Sequence, residues 1–94
     1  VDAKPIITLG DDMVLLLPVE AWRFSPSTPR LSAEGMLQGA TLQHGKGRVA
    51  VFGEAGMFSA QISSNGGRMG MNHPDATDNA QFALNVVHWL TGLY

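Results

Sequence analysis

The stretch HGKGRVAVFG, residues 44–53, decides how this chain folds. Val49, Val51 and Phe52 suit a pleated sheet, and Gly45 and Gly47 before them supply the backbone freedom of a tight turn. The spacing predicts a hairpin in which 36–43 (MLQGATLQ) pairs with 48–53 (RVAVFG). Val49 and Val51 alternate with Ala50 and Phe52, so both faces of the second strand are apolar. Two apolar faces predict the central strand of a sheet, covered on both sides.

Working outward, IITL (6–9) and MVLLL (13–17) flank Gly10-Asp11-Asp12. Glycine and aspartate tolerate the angles of a reverse turn, which predicts a first hairpin over 6–17. Pro18 lacks a ladder donor and ends that strand. A short extended piece at 21–24 precedes the proline-rich loop SPSTPR (25–30). Downstream, Phe82, Val86, Trp89, Leu90 and Leu93 recur with helical period, and Asp78, Gln81, Asn85 and His88 form the matching polar stripe. A helix over 75–91 follows, with Asp75 or Thr77 as cap and Gly92 as its stop. Between strand and helix, 54–74 reads as a long loop, with a short helix in AGMFSAQI (55–62) and a glycine-rich flexible stretch after it. The fold class is therefore a small α/β (α+β) domain over 1–94. Its mostly antiparallel sheet has two hairpins, 6–17 and 36–53, and the C-terminal amphipathic helix packs on it.

The 94 residues suffice for one small domain, and with 45% hydrophobic and 15% charged residues the chain is apolar for its size. A net charge of −2 and six scattered basic residues argue against nucleic acid, whose phosphates demand a basic face. The longest apolar run, MVLLLPV (13–19), is far short of the roughly 20 residues of a spanning helix. No membrane partner is expected, no signal peptide is seen, and the cytoplasm is the default compartment. Zero cysteines exclude disulfides, zinc–thiolate sites and a cysteine nucleophile within the chain.

HGKGRVAVFGEAGMFSAQ (44–61) followed by MGMNHPDATDNAQFALNVVHWLTGLY (69–94) resembles the C-terminal end of a bacterial family of unknown function. That family sits near the class I glutamine amidotransferase-like, flavodoxin-type proteins. ITLGDDMVLLLPVEAWRF and TPRLSAEGMLQGATL, within 7–42, match it in order and spacing. The resemblance implies the closing part of a larger doubly wound fold whose N-terminal half is absent. The chain departs from that superfamily in having no cysteine, which excludes amidotransferase activity for this chain by itself, because that chemistry needs one. Apolar surface that the other half would cover is expected to meet a second copy of this chain, in a homodimer or larger assembly.

Glu54 directly follows the central strand, and ligands in open α/β sheets gather beyond strand carboxyl ends. Asn72, His73 and Asp75 arrive nearby, so Glu54 with His73 forms a candidate acid–base pair or an oxygen-rich ligand site. Helix capping and turn formation account for the same residues without a ligand. His44, His73 and His88 lack metal-ligand spacing, no serine lies in a nucleophile elbow, and the NGG at 65–67 lacks the rest of a phosphate loop. No metal or cofactor is expected. Met57, Phe58, Met69, Met71 and Trp22 are candidate interface residues, since methionine and tryptophan suit irregular contacts. The sequence favours a non-catalytic binding or assembly module. The competing reading is a small-molecule-binding or hydrolytic domain with its site at 54–75.

Overall fold

The computed structural model describes residues 2–93; Val1 and Tyr94, the ends of the expected domain, lie outside the described residues. The second expected hairpin forms. Strand β4 (Leu37–His44) pairs antiparallel with β5 (Gly47–Phe52), from Gly39 opposite Phe52 to His44 opposite Gly47. Gly45, at φ 59°, supplies the turn's left-handed residue.

The first expected hairpin, 6–17, does not form. Strand β1 (Lys4–Thr8) pairs with β4, whereas β2 (Val14–Leu16) pairs with β3 (Arg30–Ser32). These pairings belong to one long antiparallel ribbon. Between them the ladder continues through Leu9 N–H to Met36 O (2.9 Å), Gly35 N–H to Leu9 O (3.0 Å) and Ala33 N–H to Met13 O (3.0 Å). Gly10-Asp11-Asp12 is therefore a bend within one side of the ribbon, closed by Met13 N–H on Gly10 O at 3.2 Å. The true reversal lies farther out, in residues 18–28. Glycine and aspartate serve a bend as readily as a hairpin turn, so local chemistry cannot separate the two.

The strand order is β1-β4-β5, which makes β4 central and puts β5 at an edge. This corrects the expectation that 48–53 lies at the centre, covered on both sides. One face of the β4–β5 pair carries Phe52, Ala50 and Arg48 and meets the helix; the other carries Val49, Val51, Ala40 and Leu42. On that second face Val49 is 39% exposed and Val51 57%.

Helix α1 (Asn79–Thr91) starts four residues later than expected, with Asp78 in the cap position and no side-chain cap hydrogen bond. Residues 73–79 form successive turns instead, with Ala76 N–H on His73 O (3.0 Å) and Asn79 N–H on Ala76 O (3.4 Å). The helix begins where its apolar side begins: Phe82, Val86 and Trp89 are half-buried. Leu84 and Val87, on its other side, are exposed. The expected loop 54–74 also carries more order than its glycines suggested. It holds a 3-10 turn at Gly56–Phe58 and a small hairpin of β6 (Ala60–Ile62) with β7 (Arg68–Gly70). Among the described residues, three small antiparallel sheets with one C-terminal helix make an α+β fold. Among the described residues, no helix is long and apolar enough to cross a membrane.

Two devices join helix to sheet. Phe52 of β5 meets Phe58 edge-on at 4.8 Å and Phe82 at 5.9 Å, while Phe58 and Phe82 stack at 6.0 Å. Arg48 of β5 donates to the Trp89 carbonyl and lies 5.5 Å over the Trp89 ring. A guanidinium at the end of α1 opposes the partial negative charge of its last carbonyls. Gly92, at φ 76°, completes that end, with Leu93 N–H on His88 O at 2.9 Å. Arg48→Met keeps much of the stem and removes charge and donor together. It is expected to lower unfolding free energy by about 1–2 kcal/mol. Urea unfolding measures this, and faster amide exchange confined to the last turn of α1 identifies the cause.

Candidate functional site

The end of β5, the 3-10 turn, β7 and the start of α1 converge on one shallow groove of roughly 410 Å³. Glu54, Met57, Arg68, Met69, His73 and Asn79 are among its lining residues. The groove lies where the sequence placed a site, beyond the carboxyl end of 48–53. A side chain–backbone bond ties two of its walls together. Asn79 Nδ2–H donates to Met57 O at 3.1 Å, tying the first residue of α1 to the 3-10 turn.

The candidate acid–base pair does not assemble. The Glu54 carboxylate accepts the Gly56 N–H and, at 3.0 Å, the Met57 N–H. Both oxygens thus satisfy donors at the start of the 3-10 turn, the work of a capping residue. Asp75 N–H donates to His73 Nδ1 at 3.2 Å, which assigns that nitrogen as acceptor and leaves Nε2 to carry the proton of the neutral ring. The Asp75 carboxylate is farther from the same nitrogen, at 3.9 Å, and is almost fully exposed. The shorter backbone bond describes this turn better than an ion pair does. No hydrogen bond joins Glu54 to His73 among the described residues.

Of the four candidate ligand residues, Glu54 and His73 share the groove, whereas Asn72 and Asp75 do not line it. The candidate interface residues divide similarly. Met57 and Met69 line the groove, Met71 is half-buried, and Phe58 is engaged in the aromatic cluster that joins turn, strand and helix. Trp22 stands apart at the ribbon tip, 88% exposed.

No protein-family model, curated protein or solved structure matches this chain. The groove is therefore read from its own chemistry. Its lining includes Arg68, His73 and two methionines, residue types suited to holding a small polar group against apolar walls. Among the described residues, no three of histidine, aspartate and glutamate converge as a metal site. Sequence reasoning passed over Arg68 and Asn79. Arg68 follows the Asn-Gly-Gly turn and precedes Met69, a position that opens β7 beside the groove.

Proposed function

We propose that the chain is a non-catalytic assembly module that works as a homo-oligomer, completing its core against a second copy. One observation carries this reading. Among the described residues Ala33, 1% exposed, is the sole buried apolar side chain, and Val14, Leu31, Val51, Leu84 and Val87 all stand open. The chain exposes 7402 Å², against about 5,200 Å² for a folded monomer of 10.0 kDa. Its radius of gyration is 16.1 Å, against about 12 Å for a compact chain of this length. The surplus of about 2,200 Å² per chain exceeds the roughly 800 Å² per partner of a standard interface and falls in the range of obligate assemblies.

The edge position of β5 and the exposed apolar side of α1 support the same reading, since an apolar edge strand and an apolar helix back are features that proteins cover. So does the resemblance of 44–61 and 69–94 to a bacterial family placed near the flavodoxin-type proteins, in whose doubly wound sheets both faces carry helices. In this reading a second copy provides the cover. The groove favours a subsidiary role, in which the assembled protein holds a small polar ligand between Arg68, His73 and the two methionines.

Sedimentation equilibrium tests the proposal. The wild-type chain is expected to associate at micromolar concentration. Val51→Lys places a charge on the uncovered sheet face, where it costs the free chain little but would be buried unpaired in the assembly. It is expected to weaken association about thirtyfold, equivalent to ~2 kcal/mol. A wild-type monomer that keeps its secondary structure at that concentration would overturn the reading.

A further inference from the structure

We propose that the free end of the ribbon, β2–β3 with its tip at 18–28, is an exchange arm that lies on the uncovered sheet face of a second copy. The inference rests on the assembly reading above and names the surfaces that meet. The arm runs beyond β5, and among the described residues β2 and β3 pair only with each other, as a two-stranded sheet. An isolated two-stranded ribbon is marginal in water. This one is also apolar where a solvated hairpin would be polar. Leu15 pairs with Leu31, and Leu17 follows on the same face by strand alternation, with its N–H on Pro29 O at 2.9 Å; all three leucines are exposed.

The tip is ordered although it faces water. Ser25 N–H donates to Thr28 Oγ1 at 2.9 Å, Arg23 N–H to Glu20 O at 3.1 Å, and the Arg23 and Glu20 side chains pair at 3.2 Å. These bonds surround Trp22, the single non-glycine residue with positive φ among the described residues, at 67°. A large aromatic residue avoids that conformation unless its surroundings impose it, and imposed strain clusters at functional positions. Trp22 is thus held outward, as an interface anchor would be.

The acceptor is on the same chain. Ala40, Leu42, Val49 and Val51 form one face of the β4–β5 pair, away from α1. Donor and acceptor together account for a surplus surface of about 2,200 Å² better than a single small contact does. Reciprocal exchange closes two copies about a twofold axis and leaves neither surface open, whereas one-way exchange would propagate into a fibre.

The absence of cysteine makes the test clean. Leu17→Cys and Val51→Cys chains, mixed in equal amounts and oxidised, are expected to give a mixed disulfide dimer by mass. Its yield should exceed by roughly tenfold that from Leu17→Cys mixed with Ser64→Cys, because a disulfide forms only where Cα atoms approach within about 7 Å. Trp22→Ala is expected to weaken the dimer about thirtyfold in sedimentation. Dimers that link Val51→Cys to itself, with no mixed product, would overturn the exchange while leaving assembly intact. In a chain carrying both Leu17→Cys and Val51→Cys, a doubly linked dimer is expected, and a ladder of larger linked species would overturn twofold closure. A folded wild-type monomer would overturn both readings.

Discussion

Phe52→Ala is expected to cost about 3 kcal/mol of unfolding free energy, enough to abolish a cooperative thermal transition in a chain with so little enclosed core. Phe52 is the shared member of the cluster that joins β5, the 3-10 turn and α1. Its ring also lies over Gly39, the residue opposite it in β4: a Cβ at Gly39 would come within 2.9 Å of two Phe52 ring carbons. The strand pair is thus shaped around the ring, with glycine providing the floor. That geometry makes a second, sharper expectation. Gly39→Ala alone overpacks the contact and costs about 1–3 kcal/mol, whereas in the Phe52→Ala background the same methyl is relieved of the ring and keeps a tight approach only to Ile6 Cγ1, at 3.2 Å. The two losses should therefore be less than additive by about 1 kcal/mol in a urea double-mutant cycle. Strict additivity would show that the ring does not rest on Gly39. Association, where it occurs, stabilises a folded chain, so all four proteins need comparison at one concentration.

Much of the fold was legible where a local signal had one meaning. Period-3.6 apolar residues from Phe82 onward could only be a helix, and Gly45 between two β-type runs could only reverse the chain. The signals that misled had two meanings. Gly10-Asp11-Asp12 satisfies a hairpin turn and a ribbon bend alike, and the choice depends on β4, which lies more than twenty residues away. The two apolar faces of 48–53 predict a central strand covered on both sides, yet the structure leaves Val49 and Val51 open on an edge strand. An apolar residue in a sequence records that cover is needed, not which molecule provides it. The site followed the same logic. Position placed Glu54 and His73 together beyond a strand end, but capping of the 3-10 turn claimed the Glu54 carboxylate, and no sequence pattern announces a three-residue 3-10 turn.

Gly70→Ala is expected to dismantle the 54–74 region, with a loss well above that of an ordinary glycine substitution. Gly70 adopts φ 66°, a conformation that costs an alanine about 1 kcal/mol or more by itself. A Cβ there would also collide with the carbonyl oxygens of Gly56 and Ser59 and approach Ser59 Oγ to 2.7 Å. Neither carbonyl can withdraw freely. Ser59 N–H and Oγ–H hold Gly56 O at 3.0 and 2.7 Å, and Met71 N–H holds Ser59 O at 2.6 Å. Relieving the collision therefore separates β7 from the 3-10 turn and breaks the bonds that form the groove wall. Gly66 is the internal control. Its φ is 83°, yet a Cβ there meets nothing within 4 Å, so Gly66→Ala carries the conformational cost alone. Gly70→Ala should exceed Gly66→Ala by about 2 kcal/mol in urea unfolding, with exchange of the Ser59 and Met71 amides accelerated in the first variant and unchanged in the second. Equal losses would mean that the close approach of β7 to the 3-10 turn contributes nothing, and the groove would lose its structural basis. If Gly70→Ala leaves the oligomer intact while opening the groove, the two surfaces act separately: the ribbon and sheet face assemble the protein, and the 54–79 groove is an independent feature of each subunit.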